Sequence, residues 1–255
     1  MTPFLEVHNI GKSFGSTVAV RDLSFTLQPG EVLALIGENG AGKSTVVKML
    51  TGIYKPDAGS ISLSGKPLAL HSPQDAWNAG ITAIHQETVM FDELSVAENL
   101  FVGHHPLHQN FFSRLLGGGL VDWKIMLAAA TEVLNRLESN IAPETPLRDL
   151  SVAQKHLVQI ARALGQNASV VIMDEPTAAL AVMERENVIR YARDLAAGGA
   201  GVIYIGHNLV EILEVADRIA VMFRGKVVHV TTAGETTQDR LIKYMTGYND
   251  QETAA

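Results

Sequence analysis

The chain has 255 residues, 47% of them apolar and 18% charged, with a formal net charge of −7 and no cysteine. That is enough apolar material for one large α/β domain or two small ones, and the acidic balance argues against a protein held to nucleic acid by backbone charge. Without cysteine there is neither a disulfide framework nor a thiolate metal site. The start, "MTPFLEVHNIGKSFG", lacks a charged segment followed by an apolar stretch, so no signal peptide is expected. No apolar run approaches the length of a membrane span, and any work at a membrane is expected to go through a partner.

Residues 4–36 alternate short apolar runs with turn signals such as "FGST" and "LQPGE", which predicts antiparallel strands. "EVLALIG" within this region is apolar enough for a buried strand, and "STVVKMLTG" reads as a helix closed by Gly52. "GSISLSG" predicts a short strand and "GITAIHQE" a buried one. Between about 87 and 167 the periodicity turns helical, most clearly in "DWKIMLAAATEVLNRL" and "SVAQKHLVQIARAL". There the histidines of "GHHPLH" read as surface and "LLGGGLVDW" as a loop. From 168 onward "ASVVIMDE", "MERENVIRYARDLAAG", "AGVIYIGH", "LVEILEVADR" and "RIAVMFRGKVVHV" alternate strand and helix, the pattern of a parallel sheet. The last residues, "YNDQETAA", read as a frayed tail.

Between the buried strand and its helix lies "GENGAGKST", a complete match to G-x-x-x-x-G-K-[ST]. Glycines at 37, 40 and 42 let the backbone turn its N–H groups inward on a phosphate. Lys43 adds a charge that reaches the outer phosphates, and the Ser44 hydroxyl suits a Mg²⁺ ion. The helix beginning under the phosphate adds its positive end. With a strand before and a helix after, an ordinary glycine turn is the weaker reading. "VVIMDEPTAAL" supplies the rest: a strand ending in Asp174, placed to hold a metal shell, and Glu175, placed to polarise an attacking water. His207, after the strand in "VIYIGHNL", is a candidate partner for the outermost phosphate, although a histidine in that position is more often a core or turn residue.

Six features in this order, Phe14 in "KSFG", "GENGAGKST", Gln86 in "AIHQE", "LSVAQ" at 150–154, "VIMDE" and His207, resemble the ATP-binding cassette (ABC) ATPases over essentially the whole chain. The resemblance implies a P-loop NTPase of the α/β class, with a RecA-like parallel-sheet core, an N-terminal antiparallel β subdomain and an inserted helical signature subdomain. In those terms the chain is one ATP-binding domain, with its core at 1–86 and 168–247, its helical subdomain at about 87–167 and a tail at 248–255. Gly37, Glu38, Asn39, Gly40, Ala41, Gly42, Lys43, Ser44 and Thr45 would hold ATP, with Phe14 stacked on adenine. Ser44, Gln86 and Asp174 would hold Mg²⁺. Glu175 would act as general base beside His207 and Gln86, and Ser151 and Gln154 would complete the site of an opposite subunit.

The signature departs from the family pattern, with Val152 and Ala153 where two glycines are usual, and "LSVAQ" is similar to the first cassette of bacterial ribose, xylose and galactoside importers. "AGITAIHQE", "LSVAENLFVG" and "VDWKIM" resemble that group too. Its members commonly fuse two cassettes; a single-cassette protein of the fructose type, paired with itself, is the expectation here. The resemblance then implies an ATPase energising monosaccharide import from the cytoplasmic face of the cell membrane. Its partners would be transmembrane permease subunits and, indirectly, a periplasmic sugar-binding protein, with no nucleic acid. Ala181, where many cassettes carry an acid, could alter coupling between two sites. Two other classes remain: an ATP-gated module that binds without turnover, which would tolerate loss of Glu175, and a soluble cassette serving DNA repair or ribosomes, which would bind nucleic acid tightly.

Overall fold

The computed structural model describes residues 4–85, 90–103, 106, 121–137, 139–165, 168–178 and 182–247. The chain forms two compact units, one of Met1–Gln86 with Ala168–Ala255 and one of Glu87–Asn167. "YNDQETAA", most of "GHHPLH" and most of "LLGGGLVDW" lie outside the described residues.

The first unit holds two sheets. β1 (Leu5–Phe14), β2 (Thr17–Leu27), β4 (Ala58–Leu63) and β5 (Lys66–Leu68) make an antiparallel sheet in the order β2-β1-β4-β5. The other sheet runs β10-β9-β3-β8-β7-β6, from β3 (Val32–Gly37), β6 (Ile81–His85), β7 (Val170–Asp174), β8 (Gly201–Ile205), β9 (Arg218–Phe223) and β10 (Lys226–Thr232). β3 pairs in parallel with β8 and β9, so residues 32–36 do not belong to the antiparallel series expected of residues 4–36. Their composition explains it: every residue of β3 is buried, as in a strand covered on both faces. "RIAVMFRGKVVHV" departs from the parallel pattern too. It folds as an antiparallel hairpin of β9 and β10, turned at Arg224 (φ 45°) and Gly225 (φ 82°). Accordingly β10 alternates exposed and half-buried residues, as a strand solvated on one side does.

Helices α1 (Lys43–Leu50), α2 (Pro73–Asn78), α6 (Val182–Ala197), α7 (Leu209–Val215) and α8 (Gln238–Met245) surround these sheets. α1 ends at Gly52, whose φ of 71° and N–H to the Met49 carbonyl (3.2 Å) close its last turn. Leu5, Val7, Leu23 and Leu27 of the antiparallel sheet share one core with Leu33, Leu35, Ile203 and Ile205 and with Val46, Met49 and Leu50 of α1.

The second unit packs α3 (Val96–Phe101), α4 (Trp123–Arg136) and α5 (Val152–Gly165) against one another. Ser95 and Glu98 form a reciprocal capping box on α3. The buried Asn99 side chain ties the preceding loop, donating to the carbonyls of Phe91 (3.0 Å) and Ser95 (3.0 Å) and accepting from the Phe91 amide (2.9 Å). No helix among the described residues is long and apolar enough to cross a membrane.

Ile203 lies fully buried in β8, between β3 and β7. Ile203→Ala is therefore expected to cost about 3 kcal/mol of stability, read as a lower urea midpoint at unchanged slope.

Candidate functional site

Parallel register levels the ends of four strands. Leu35 of β3 and Asp174 of β7 both pair with Ile205 of β8, and His85, the last residue of β6, pairs with Asp174. Whatever follows these strands emerges on one edge, the carboxyl end where open α/β sheets bind ligands. The loop 38–42 follows β3, Glu175 follows β7 and His207 follows β8 by two residues. Gln86 follows β6 directly but lies outside the described residues, as does Ala181.

The loop is a backbone cradle because side chains do not fit beneath it. A Cβ on Gly37 would stand 2.5 Å from the Met222 carbonyl oxygen of β9, and one on Gly42 2.5 Å from the Ala19 carbonyl oxygen of β2. Gly42 also has φ 103° and Gly40 φ 84°, values that favour glycine. Ala41, buried below, donates its N–H to the Glu38 carbonyl (3.1 Å), and its carbonyl accepts from Gly225 (3.0 Å). Glu38, Asn39, Gly40 and Ser44 stay exposed, while Thr45 is half-buried in the first turn of α1, which no side chain caps. Lys43 folds back under the loop, its Nζ donating to the carbonyls of Gly37 (2.7 Å) and Glu38 (3.1 Å). Burial pushes the Lys43 ammonium below its ordinary pKa, against the opposing pull of Glu175 and then Asp174. A buried cation and an uncapped helix start on a glycine-rich loop form a site rich in hydrogen-bond donors, suited to a polyphosphate.

Val170–Met173 are buried, and the chain turns sharply after the half-buried Asp174. Glu175 adopts φ 49°, a conformation costing a non-glycine residue about 1–2 kcal/mol, held in part by its N–H to the Ile205 carbonyl at 2.9 Å. Its Oε2 lies 3.6 Å from Nδ1 of His207, whose ring is largely exposed. Both line a small cleft of about 60 Å³ together with Thr177, Arg185, Asn208 and Glu211. The arrangement can hold a water beside a carboxylate and place a ring nitrogen over the neighbouring phosphate position.

Phe14 ends β1 and is 43% exposed, with its ring 5.1 Å from that of Tyr54 at 64°. The strand end is fastened by Asp57. Its carboxylate accepts from Lys12 Nζ (2.7 Å) and from the Ser13 amide (2.8 Å), and these bonds hold its pKa below the usual carboxylate range. Lys12 Nζ also donates to the Lys55 carbonyl (2.9 Å), and the Tyr54 amide donates to Lys48 at the end of α1 (2.9 Å). Tyr54 and Asp57 drew no attention in the sequence, although both lie in the short segment between α1 and β4.

Ser151 and Gln154 belong to the helical unit. They cap α5 reciprocally: the Ser151 amide donates to Gln154 Oε1 (2.9 Å) and the Gln154 amide to Ser151 Oγ (3.3 Å). The S-x-x-Q spacing signals this box, so the signature side chains already serve their own helix. Val152, next to Ser151, is 59% exposed.

A further cluster escaped the sequence reading. Glu211, only 5% exposed, accepts from Thr177 Oγ1 at both carboxylate oxygens (2.8 and 2.9 Å), and the Tyr204 hydroxyl donates to Oε1. Burial, followed by the Glu211 hydrogen bond, raises the Tyr204 phenol pKa well above normal. The sequence offers only the spacing: Glu211 stands four residues before Val215 and so shares a face of α7 with it, and the structure shows that face to be buried.

The family model described as "ABC transporter" matches residues 20–178, more than half of the chain. The chain belongs to the ABC transporter family. It is 49% identical over 246 residues to ribose import ATP-binding protein RbsA 1 of Agrobacterium fabrum, covering 96% of this chain and 47% of that protein. The ribose import ATP-binding protein RbsA of a Jannaschia species is 48% identical over 96% of this chain and 46% of its own. The chain thus spans about half the length of the curated relatives it matches. A crystal structure of a nucleotide-free ATP-binding cassette from an ABC transporter superposes with a TM-score of 0.80 at 28% identity, over 96% of this chain and 95% of that one.

The glycine cradle makes a stability prediction for this cassette. Gly42→Ala combines a disfavoured φ with a clash on the Ala19 carbonyl. It is expected to cost about 2 kcal/mol or more, seen as a lower melting temperature of the protein without nucleotide.

Proposed function

We propose that this cassette binds and hydrolyses ATP to energise a bacterial importer of a monosaccharide, of the ribose kind named for its relatives. The observation that carries the reading is the Glu175–His207 pair standing 3.6 Å apart on the same sheet edge as the Lys43 cradle. The triphosphate would lie on the amides of 38–44, and Lys43 would exchange its two carbonyl partners for phosphate oxygens. Phe14 would stack on adenine. The donor set suits Mg²⁺, which would neutralise the outer phosphate oxygens when bound; Ser44, Asp174 and Gln86 are the residues to hold it.

Glu175 would accept a proton from water as the water oxygen attacks the γ-phosphorus. The bond from that phosphorus to the β–γ bridging oxygen breaks, releasing ADP and phosphate. His207 would hold the γ-phosphate by a hydrogen bond. A second cassette, a second copy of this chain for the purified protein, would bring Ser151 and Gln154 to the open side of the nucleotide. The assembly would work on the cytoplasmic face of the cell membrane, docked to transmembrane permease subunits that receive sugar from a periplasmic binding protein. Val152 in place of glycine favours a second reading, a cassette that binds ATP but turns over only beside a different partner.

Steady-state ATPase activity measured against protein concentration tests the proposal. Turnover per molecule is expected to rise with concentration, and Glu175→Gln to lower kcat about a hundredfold or more while ATP still binds. An unchanged rate in Glu175→Gln would overturn the role of the base. No turnover at any concentration would favour the second reading.

A further inference from the structure

A buried carboxylate joins the two loops that carry the turnover pair. Glu211 is 5% exposed, Thr177 8% and Tyr204 fully buried. The carboxylate accepts from two hydroxyl groups: Thr177 at both oxygens and Tyr204 at one. An apolar residue would fill this place without the cost of desolvating a charge, so the carboxylate is not there as the cheapest packing. Its connections point elsewhere. Thr177 stands two residues after Glu175, Tyr204 three before His207, and Glu211 four after His207, on the helix that begins just beyond it. The N–H of Glu175 reaches the Ile205 carbonyl, one residue after Tyr204. The hydrogen bonds therefore close a ring in which both Glu175 and His207 are held from two sides.

Glu175 needs such restraint. Its φ of 49° persists only where the surroundings over-determine it. The backbone contributes its N–H to the Ile205 carbonyl and the Ala178 N–H to its own carbonyl (3.3 Å), and neither bond ties the turn to the helix after His207. Thr177 supplies that side-chain tie, and Glu211 is what Thr177 is anchored to.

We propose that Glu211 is a positioning residue: through Thr177 and Tyr204 it holds Glu175 in its left-handed turn and keeps the Glu175 carboxylate in register with His207. This rests on the reading of Glu175 and His207 as the turnover pair. The phosphate cradle lies outside the ring, so loss of the anchor strikes turnover and spares nucleotide binding.

The test compares Thr177→Val, which keeps the shape and removes the hydroxyl, with Thr177→Ser, which restores it, and with Glu211→Gln. Each is measured for kcat, KM, affinity for a fluorescent ATP analogue and melting temperature, beside the wild type and Glu175→Gln. Thr177→Val is expected to lower kcat about tenfold or more with nucleotide affinity within about twofold of wild type, and Thr177→Ser to recover most of the rate. Glu211→Gln, which keeps an acceptor for one hydroxyl, is expected to fall between them. Wild-type kcat in both Thr177→Val and Glu211→Gln would overturn the inference. So would a parallel loss of kcat, affinity and melting temperature, which marks a merely structural role. If the wild type itself matches Glu175→Gln, the turnover reading fails first and takes the inference with it.

Discussion

Ile205 is the rung on which the site is levelled. It pairs with Leu35 on one side and Asp174 on the other, and its carbonyl accepts the N–H of Glu175. β7 and β8 are buried on both faces, so their register is set by which side chains fit each layer, and a slip of one residue would exchange the residues of the two layers. The burial of Val170–Met173 and Gly201–Ile205 thus fixes more than stability. It sets the height at which the acids and the histidine leave the sheet relative to the cradle after β3, and every distance in the site follows from that height.

Charge is arranged around this edge with the same economy. Lys43 is a buried cation satisfied for the moment by two carbonyl oxygens, with Glu175 and Asp174 opposing the effect of its burial. Carbonyls are weak partners for an ammonium compared with an anion, so phosphate can displace them without leaving a donor unpaired. The glycines beneath serve the same end. At Gly37 and Gly42 the neighbouring strands come so close that only the absence of a Cβ admits the loop.

Much of this was legible in the sequence because the signals are local. The cradle needs glycine, lysine and serine at fixed spacing beside an uninterrupted apolar strand, and "EVLALIG" followed by "GENGAGKST" contains all of it. The β9–β10 hairpin had a signal that was passed over: Arg224, Gly225 and Lys226 interrupt the apolar run, and the alternation of strands and helices around it drew the reading to a parallel sheet instead. The pairing of Thr177 with Glu211 spans 34 residues, and nothing short-range announces it. A glutamate in "LVEILEV" looks like the solvated side of a helix until the buried face is known to include it. Likewise, "LSVAQ" drew notice for the glycines it lacks, while the capping role of its serine and glutamine lay in the spacing itself. Gln86 and Ala181 fall outside the described residues, and their roles rest on the sequence alone.

The fastening at Asp57 has a mechanical consequence. Phe14 is tied through Ser13 and Lys12 to Lys55 and Asp57, in the segment between α1 and β4 that also presents Tyr54 to its ring. The aromatic end of β1 and the helix that starts under the cradle are therefore joined by hydrogen bonds through residues 54–57. A ligand long enough to touch both ends would meet them at a spacing that this linkage sets. The free energies of its two halves would then not simply add, because gripping one end spares the other the entropy of being found.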